Sequence, residues 1–231
     1  MNLFQTKNAL RGRAAEPPSR GAKDPRLVSL LSPASPAAEA YRELRTNLLY
    51  SSGSEQSPGV IVLTSPEPGV ARSLACANLA VAMAQAGRST VLVDCDLRNP
   101  NQSRIFGSDA DENWSAEELF NDDLSLLDEC PEPVPGLKLL AAQGSISDPT
   151  PVLESESFAE FLRRLRGECD HVLIDAPCME QFSDAISLAT QSDGALLVLE
   201  SRKSRKAAVR KSVRRLRSAE VNVIGTVAVD V

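Results

Sequence analysis

Six short runs of aliphatic and β-branched residues, separated by stretches of helical period, constrain the fold more than any other feature of the chain. The runs cover residues 60–64, 90–93, 137–140, 172–174, 195–199 and 221–227. Helical patterns centre on 73–86, 158–166, 184–190 and 207–216, and one at 38–49 precedes the first run. Strands that are apolar along their whole length are buried on both faces, which requires a parallel sheet covered by helices on each side. The expectation is an α/β domain of three layers, with one mostly parallel sheet between helices. A length of 231 residues suits a single domain, placed here at 37–231. Residues 1–36 are rich in Pro, Ala, Ser and Arg and read as a flexible arm with a short ordered piece at 27–31.

Several classes are excluded. A membrane span needs about 20 apolar residues, and even the 74–86 stretch is broken by Asn78 and Gln85. The start, Met1 to Lys7, lacks the apolar core and cleavage site of a secretion signal. Five cysteines, at 76, 95, 130, 169 and 178, form no CxxC pair and read as reduced thiols rather than a disulfide frame or zinc site. A single histidine excludes a His-rich metal centre, and His171 reads as structural. Cys178 reads as a small buried thiol. A cytoplasmic domain is expected.

The net charge of −6 hides segregation along the chain. Ten acids and no Lys or Arg lie between Arg104 and Lys138, where Trp114 and its neighbours read as a surface loop and short helix. Residues 202–217 hold nine basic residues and no acid, with Val209, Val213 and Leu216 as an apolar stripe. A solvated outer face is the default for that helix. Contact with anionic lipid or non-specific DNA binding are the sharper readings, and no aromatic residue interleaves to support base stacking.

In open parallel sheets, ligands bind outside the carboxyl ends of the strands. The first strand leads through Ser65-Pro66-Glu67-Pro68-Gly69-Val70-Ala71-Arg72-Ser73-Leu74 into a helix; Asp94 and Asp96 follow the second strand, and Asp175 the fourth. A glycine-bearing turn at a helix start with acids on neighbouring strands is how a P-loop nucleotide site is built. Against G-x-x-x-x-G-K-[ST], Arg72 stands at the Lys position, Ala71 at the last Gly, and Ser73 supplies the hydroxyl. If position 71 required positive φ, its Cβ would cost roughly 1–2 kcal/mol; Val70 and Leu74 add bulk beside the phosphate path. An ordinary strand-to-helix turn and plain strand-end acids remain alternatives at this point.

Taken together, these residues resemble the cytoplasmic domain of bacterial tyrosine kinases (BY-kinases) of capsule and exopolysaccharide systems, relatives of the ParA/MinD ATPases. Glu39-Ala40-Tyr41-Arg42-Glu43-Leu44-Arg45 is similar to the family's E-x-x-R-x-x-R segment. Residues 64–73 stand where Walker A belongs, residues 172–177 look like Walker B, and Asp94-Cys95-Asp96-Leu97-Arg98-Asn99-Pro100 looks like D-x-D-L-R-x-P.

The resemblance implies an ATP–Mg2+ site. The loop residues Pro68, Gly69, Val70, Ala71, Arg72, Ser73 and Leu74 would hold the nucleotide, and Ser73, Asp96 and Asp175 the metal. Asp94, Asp96 and Arg72 would be catalytic, the aspartates activating a tyrosine hydroxyl. It further implies a homo-oligomer formed through Glu39, Arg42 and Arg45. The implied partner is a membrane polysaccharide co-polymerase, which would recruit the chain to the inner face of the membrane. A solvated helix with internal Glu–Arg pairs is the alternative for that triad. The chain departs from the family at the loop, where the Lys and last Gly are lost. Its only tyrosines, Tyr41 and Tyr50, precede the first strand, so the family's tyrosine-rich tail is expected to be missing. The reading is a degenerate BY-kinase-like protein regulating polysaccharide assembly with weak or no phosphotransfer. The alternatives are an active kinase in which Arg72 does the lysine's work on a partner's tyrosines, and a ParA-like positioning protein that binds DNA through 202–217.

Overall fold

The structure, a computed structural model, describes residues 21–50, 59–108, 115–120, 127–142 and 144–230. Six strands, β1 (Val60–Thr64), β2 (Thr90–Asp94), β3 (Leu137–Ala141), β4 (His171–Asp175), β5 (Gly194–Glu200) and β6 (Val223–Val229), form one sheet in the order β3-β2-β4-β1-β5-β6. Every strand-to-strand pairing is parallel. Helices α1 (Val28–Leu31), α2 (Pro36–Tyr50), α3 (Ala71–Ala84) and α4 (Gln102–Phe106) precede β3, with α5 (Ala116–Leu119). The others are α6 (Thr150–Leu153), α7 (Glu156–Glu168), α8 (Asp184–Thr190) and α9 (Lys206–Ser218).

Alternation along the strands builds the three layers. Ile61, Leu63 and Leu92 join Tyr41, Leu44, Phe106 and the apolar residues of α3 on one face, while Val60, Val62 and Val93 join Phe158, Phe161, Leu188 and Leu216 on the other. Phe120 anchors this second layer, its ring 5.2 Å from Phe158 and 5.5 Å from Phe161, spacings at which aromatic edges and faces attract. Every residue of α3 is buried. It is rich in Ala, and small side chains let it lie between the sheet and an outer cover of α1 and α2.

Part of the expected arm belongs to that cover. Leu27 is fully buried, and the Asn78 side chain accepts from Ser29 N at 2.8 Å and donates to Arg26 O at 3.0 Å. The ordered piece expected at 27–31 is therefore present as α1 on α3, and the order reaches back to Asp24, whose N–H donates to Ile105 O of α4. Residues 1–20 and Trp114 lie outside the described residues. Among the described residues, no helix is long and apolar enough to cross a membrane.

Register fixes the acids. Asp94 at the end of β2 lies opposite Asp175 at the end of β4, and Leu63 of β1 lies opposite Asp175 on its other side. The carboxyl ends of β1, β2 and β4 thus converge beside the start of α3.

Candidate nucleotide site

The loop after β1 is tied to the loop after β4. Thr64 Oγ1 donates to Pro177 O at 2.7 Å, and Met179 N donates to Ser65 O at 2.8 Å. Val70 stands just before α3 with αR geometry (φ −80°). Neither Gly69 nor Ala71 has positive φ. The strain anticipated for a Cβ at position 71 therefore does not arise, because that residue is already the first of the helix. Leu74 points into the core rather than beside a phosphate path. Val70 is 40% exposed. The first-turn amides of Ala71, Arg72 and Ser73 have no intrahelical acceptor.

Arg72 turns inward. Its Nε donates to Asp175 Oδ1 at 2.7 Å, and its Nη2 donates to Asp96 Oδ2 at 2.6 Å and to Ser73 Oγ at 3.0 Å. All four residues are buried. Burial alone would lower the Arg72 pKa, but Asp175 and Asp96 together raise it, so the guanidinium stays charged. Gln102 completes the arrangement, its Nε2 donating to Asp175 Oδ2 at 2.7 Å and to Ser73 O at 3.0 Å. Its Oε1 is buried and finds no donor.

Asp94 plays a different part. Its Oδ2 accepts from the N–H groups of Asn101 and Gln102 at 2.8 and 2.9 Å, and its Oδ1 from Asp96 N at 3.1 Å. It thereby fastens the start of α4. Burial, then the charge of Asp175, pushes its carboxyl up to about 7, against the pull of the Gln102 and Asn101 amides. Burial likewise raises Asp96, with Arg72 opposing. Arg98 of the same motif is directed away, to Asp184 at 2.9 Å and over the Phe182 ring at 4.3 Å.

A cavity of about 350 Å³ lies outside this cluster, lined by Ser65, Glu67, Pro68, Gly69, Ala71, Arg72, Glu180, Val198, Glu200, Lys203 and Ser204. Three carboxylates face it. Arg205 holds Glu67 at 2.5 Å and Glu180 at 2.9 Å, and Lys203 pairs with Glu200. A Cβ on Gly69 would stand 2.9 Å from Glu200 Oε2, so that carboxylate hangs over the loop. The backbone N–H of Arg205 is the first cause holding Glu67 below the usual carboxylate range, burial opposing and the guanidinium assisting.

The structure thus brings together Arg72, Ser73, Asp94, Asp96 and Asp175, as the strand-end rule expects, and places Pro68, Gly69 and Ala71 along the cavity. Glu39, Arg42 and Arg45 lie apart on α2. Arg42 Nε bonds Glu39 Oε2 at 2.7 Å, and Arg45 Nη1 donates to Ala82 O at 3.0 Å. Lys206, Arg210, Lys211, Arg214 and Arg217 are exposed on α9. Sequence reasoning missed Gln102, Glu180, Glu200 and Arg205. Glu200 ends a strand and was open to the same rule as Asp175; an acid at Glu67 inside a phosphate-type loop was itself a signal.

Mg2+ requires near-ideal octahedral oxygen ligands. Here the Ser73 hydroxyl and one oxygen of each of Asp96 and Asp175 are engaged by one guanidinium, and the second Asp175 oxygen by Gln102. With Arg72 in this position the residues present do not fit a divalent ion.

Comparison with known proteins follows this geometry. A ParA family model described as NUBPL iron-transfer P-loop NTPase matches residues 57–229. CapB of Staphylococcus aureus is 30% identical over 196 residues, 84% of this chain and 85% of CapB. EpsB of Ralstonia solanacearum is 30% identical over 209 residues, 87% of this chain, which spans only 26% of the length of EpsB. Both names include the words tyrosine-protein kinase. The crystal structure of the chimerical protein CapA2B2 superposes with a TM-score of 0.80 at 28% identity, covering 90% of this chain and 91% of that one. With its parallel sheet, its loop at the start of α3 and its strand-end aspartates, the chain belongs to the bacterial tyrosine kinase family of ParA-type P-loop NTPases.

Proposed function

We propose that this chain is a regulatory member of the family in exopolysaccharide or capsule assembly, transferring phosphate weakly or not at all. It would act at the cytoplasmic side through a membrane co-polymerase partner and through its own oligomer, with Glu39, Arg42 and Arg45 on the contact helix. The observation that carries this reading is the direction of Arg72. The guanidinium at the loop's lysine position is bound by Asp96 and Asp175, and although Arg72 borders the cavity, the rest of the lining includes Glu67, Glu180 and Glu200. An unpaired carboxylate about 5 Å from a phosphate oxygen would oppose it by about 3 kcal/mol at an effective dielectric of about 20, and pairing with Arg205 and Lys203 brings the opposition of these acids below that figure. Phosphoryl transfer depends on positioned cations, and the loop's own cation is engaged by Asp96 and Asp175. The active-kinase alternative has less support, since Arg72 would have to leave three buried acceptors to reach a phosphate.

Calorimetric titration with ATP and ADP, with and without Mg2+, tests the reading. The expected result is no binding up to millimolar nucleotide and no phosphorylation of tyrosines in this chain or a co-expressed partner. Micromolar, Mg2+-dependent binding together with turnover that disappears on Asp94→Ala would overturn it.

A further inference from the structure

We infer that the Arg72 guanidinium is a permanent, covalently tethered replacement for a divalent ion, and that it alone keeps such an ion out of the cluster. The guanidinium engages Ser73 Oγ, Asp96 and Asp175 at 3.0, 2.6 and 2.7 Å, a hydroxyl and two carboxylates from three separate elements. Those are the hard oxygen donors that a small divalent cation takes. Asp94 lies beside them, opposite Asp175 in the β2–β4 register, with its oxygens held by the N–H groups of Asp96, Asn101 and Gln102. One monovalent cation is held by two carboxylates here, with a third, Asp94, next to them. Gln102 Oε1 is a further buried oxygen without a donor.

Arg72 cannot yield the place readily. It is 5% exposed, and withdrawing it would leave two buried carboxylates without their cation, a severe penalty. The charge state of the cluster is therefore set by the chain itself and does not respond to Mg2+ concentration. Removing the guanidinium leaves a hole walled by oxygen donors, which a free divalent ion fills. A lysine at the same position, compact and on a flexible stem, can hold one carboxylate and leave the rest to an ion.

The test uses Mn2+ as the probe, with bound ion read by electron paramagnetic resonance, on the wild type, Arg72→Lys and Arg72→Ala. Arg205→Ala, which removes a surface cation outside the cluster, is the control. The wild type and Arg205→Ala should bind no Mn2+ below millimolar concentration. Arg72→Lys, the variant expected to fold without help, should gain at least tenfold in Mn2+ affinity. Arg72→Ala should melt below the wild type in EDTA and recover part of the difference on adding Mn2+ or guanidinium ion, whereas monovalent salt should not restore it. Sub-millimolar Mn2+ binding by the wild type would overturn the inference, as would unchanged Mn2+ affinity in Arg72→Lys. The inference does not depend on the regulatory reading: a wild type that takes up no Mn2+ by itself yet binds nucleotide and turns it over at kinase rates would sink that reading and leave this one standing.

Discussion

Asp175→Asn probes the buried charge balance with a change of one atom. Asp175 is fully buried and accepts from Arg72 Nε and from Gln102 Nε2, both at 2.7 Å. Asparagine keeps the shape but presents an NH2 group to one of two donors and removes half the anionic charge facing the guanidinium. Breaking a buried ion pair by deleting one partner costs about 3–5 kcal/mol. Arg72 retains Asp96 at 2.6 Å, and loss of the Asp175 charge eases the ionisation of Asp94. The cost therefore falls at or below the bottom of that range, about 2–3 kcal/mol. In a domain of this size each kcal/mol moves the melting temperature by about 2–4 °C, so a fall of about 4–12 °C is expected by circular dichroism in EDTA. Combined with Arg72→Ala, the two losses should be non-additive by at least about 1 kcal/mol. A melting temperature within about 1 °C of wild type, or strict additivity, would show that the pair carries no structural load and refute the reasoning.

Three further outcomes follow from the same physics. Arg205→Ala should leave the melting temperature within about 2 °C, because its side chain is 65% exposed; the Glu67 carboxyl should rise only part of the way to its ordinary value in an NMR titration, since the residue-205 N–H remains. Although burial pushes the other way, the Arg26 side chain and N–H hold Asp24 below the carboxylate range. That contribution is present above about pH 4 and is lost as pH falls through the folded value, so wild type should lose more stability than Asp24→Asn between about pH 5 and 2 in urea titrations. Gly194→Ala places a Cβ 2.6 Å from Asn222 O at φ +158°, whereas a Cβ at Gly167 in α7 meets nothing within 4 Å; the first should destabilise by about 1–3 kcal/mol and the second stabilise by about 0.5–1 kcal/mol, read by chemical denaturation.

The sheet was legible because its strands are apolar on both faces, and nothing but a two-sided cover suits such runs. The first five appear where expected, while the sixth begins at Val223, two residues late, because the Val221 N–H still bonds Leu216 O at the end of α9. The strand-end rule then located Asp94, Asp96 and Asp175 without reference to any ligand. Side-chain direction was not legible. Whether Arg72 points to the cavity or to the acids depends on which charges the fold leaves uncompensated, and that balance exists only after β2 and β4 are in register. Gln102 was invisible for the same reason: its sequence position is unremarkable, and its role comes from α4 being fastened to Asp94. How the segment around Leu27 docks was hidden because it depends on Asn78, which donates to Arg26 O 52 residues away and accepts from Ser29 N.

Retention of the three aspartates looks at first like a case for catalysis, since acids at strand ends serve metals and protons in P-loop sites. The geometry supplies another reason for them. Once Arg72 stands at the lysine position and is buried, it needs carboxylates around it, because an unpaired buried guanidinium costs more than a paired one. Asp96 and Asp175 meet that need, and Asp94 holds α4 and so places Gln102 against Asp175. Each acid is then required by the fold whether or not phosphate is ever transferred. Catalysis and stability make opposite claims about a single substitution: if the acids serve chemistry, Arg72→Lys should raise phosphotransfer by orders of magnitude and leave stability almost unchanged. If they serve the guanidinium, the same change should lower the melting temperature and open the cluster to Mn2+ while activity stays at background.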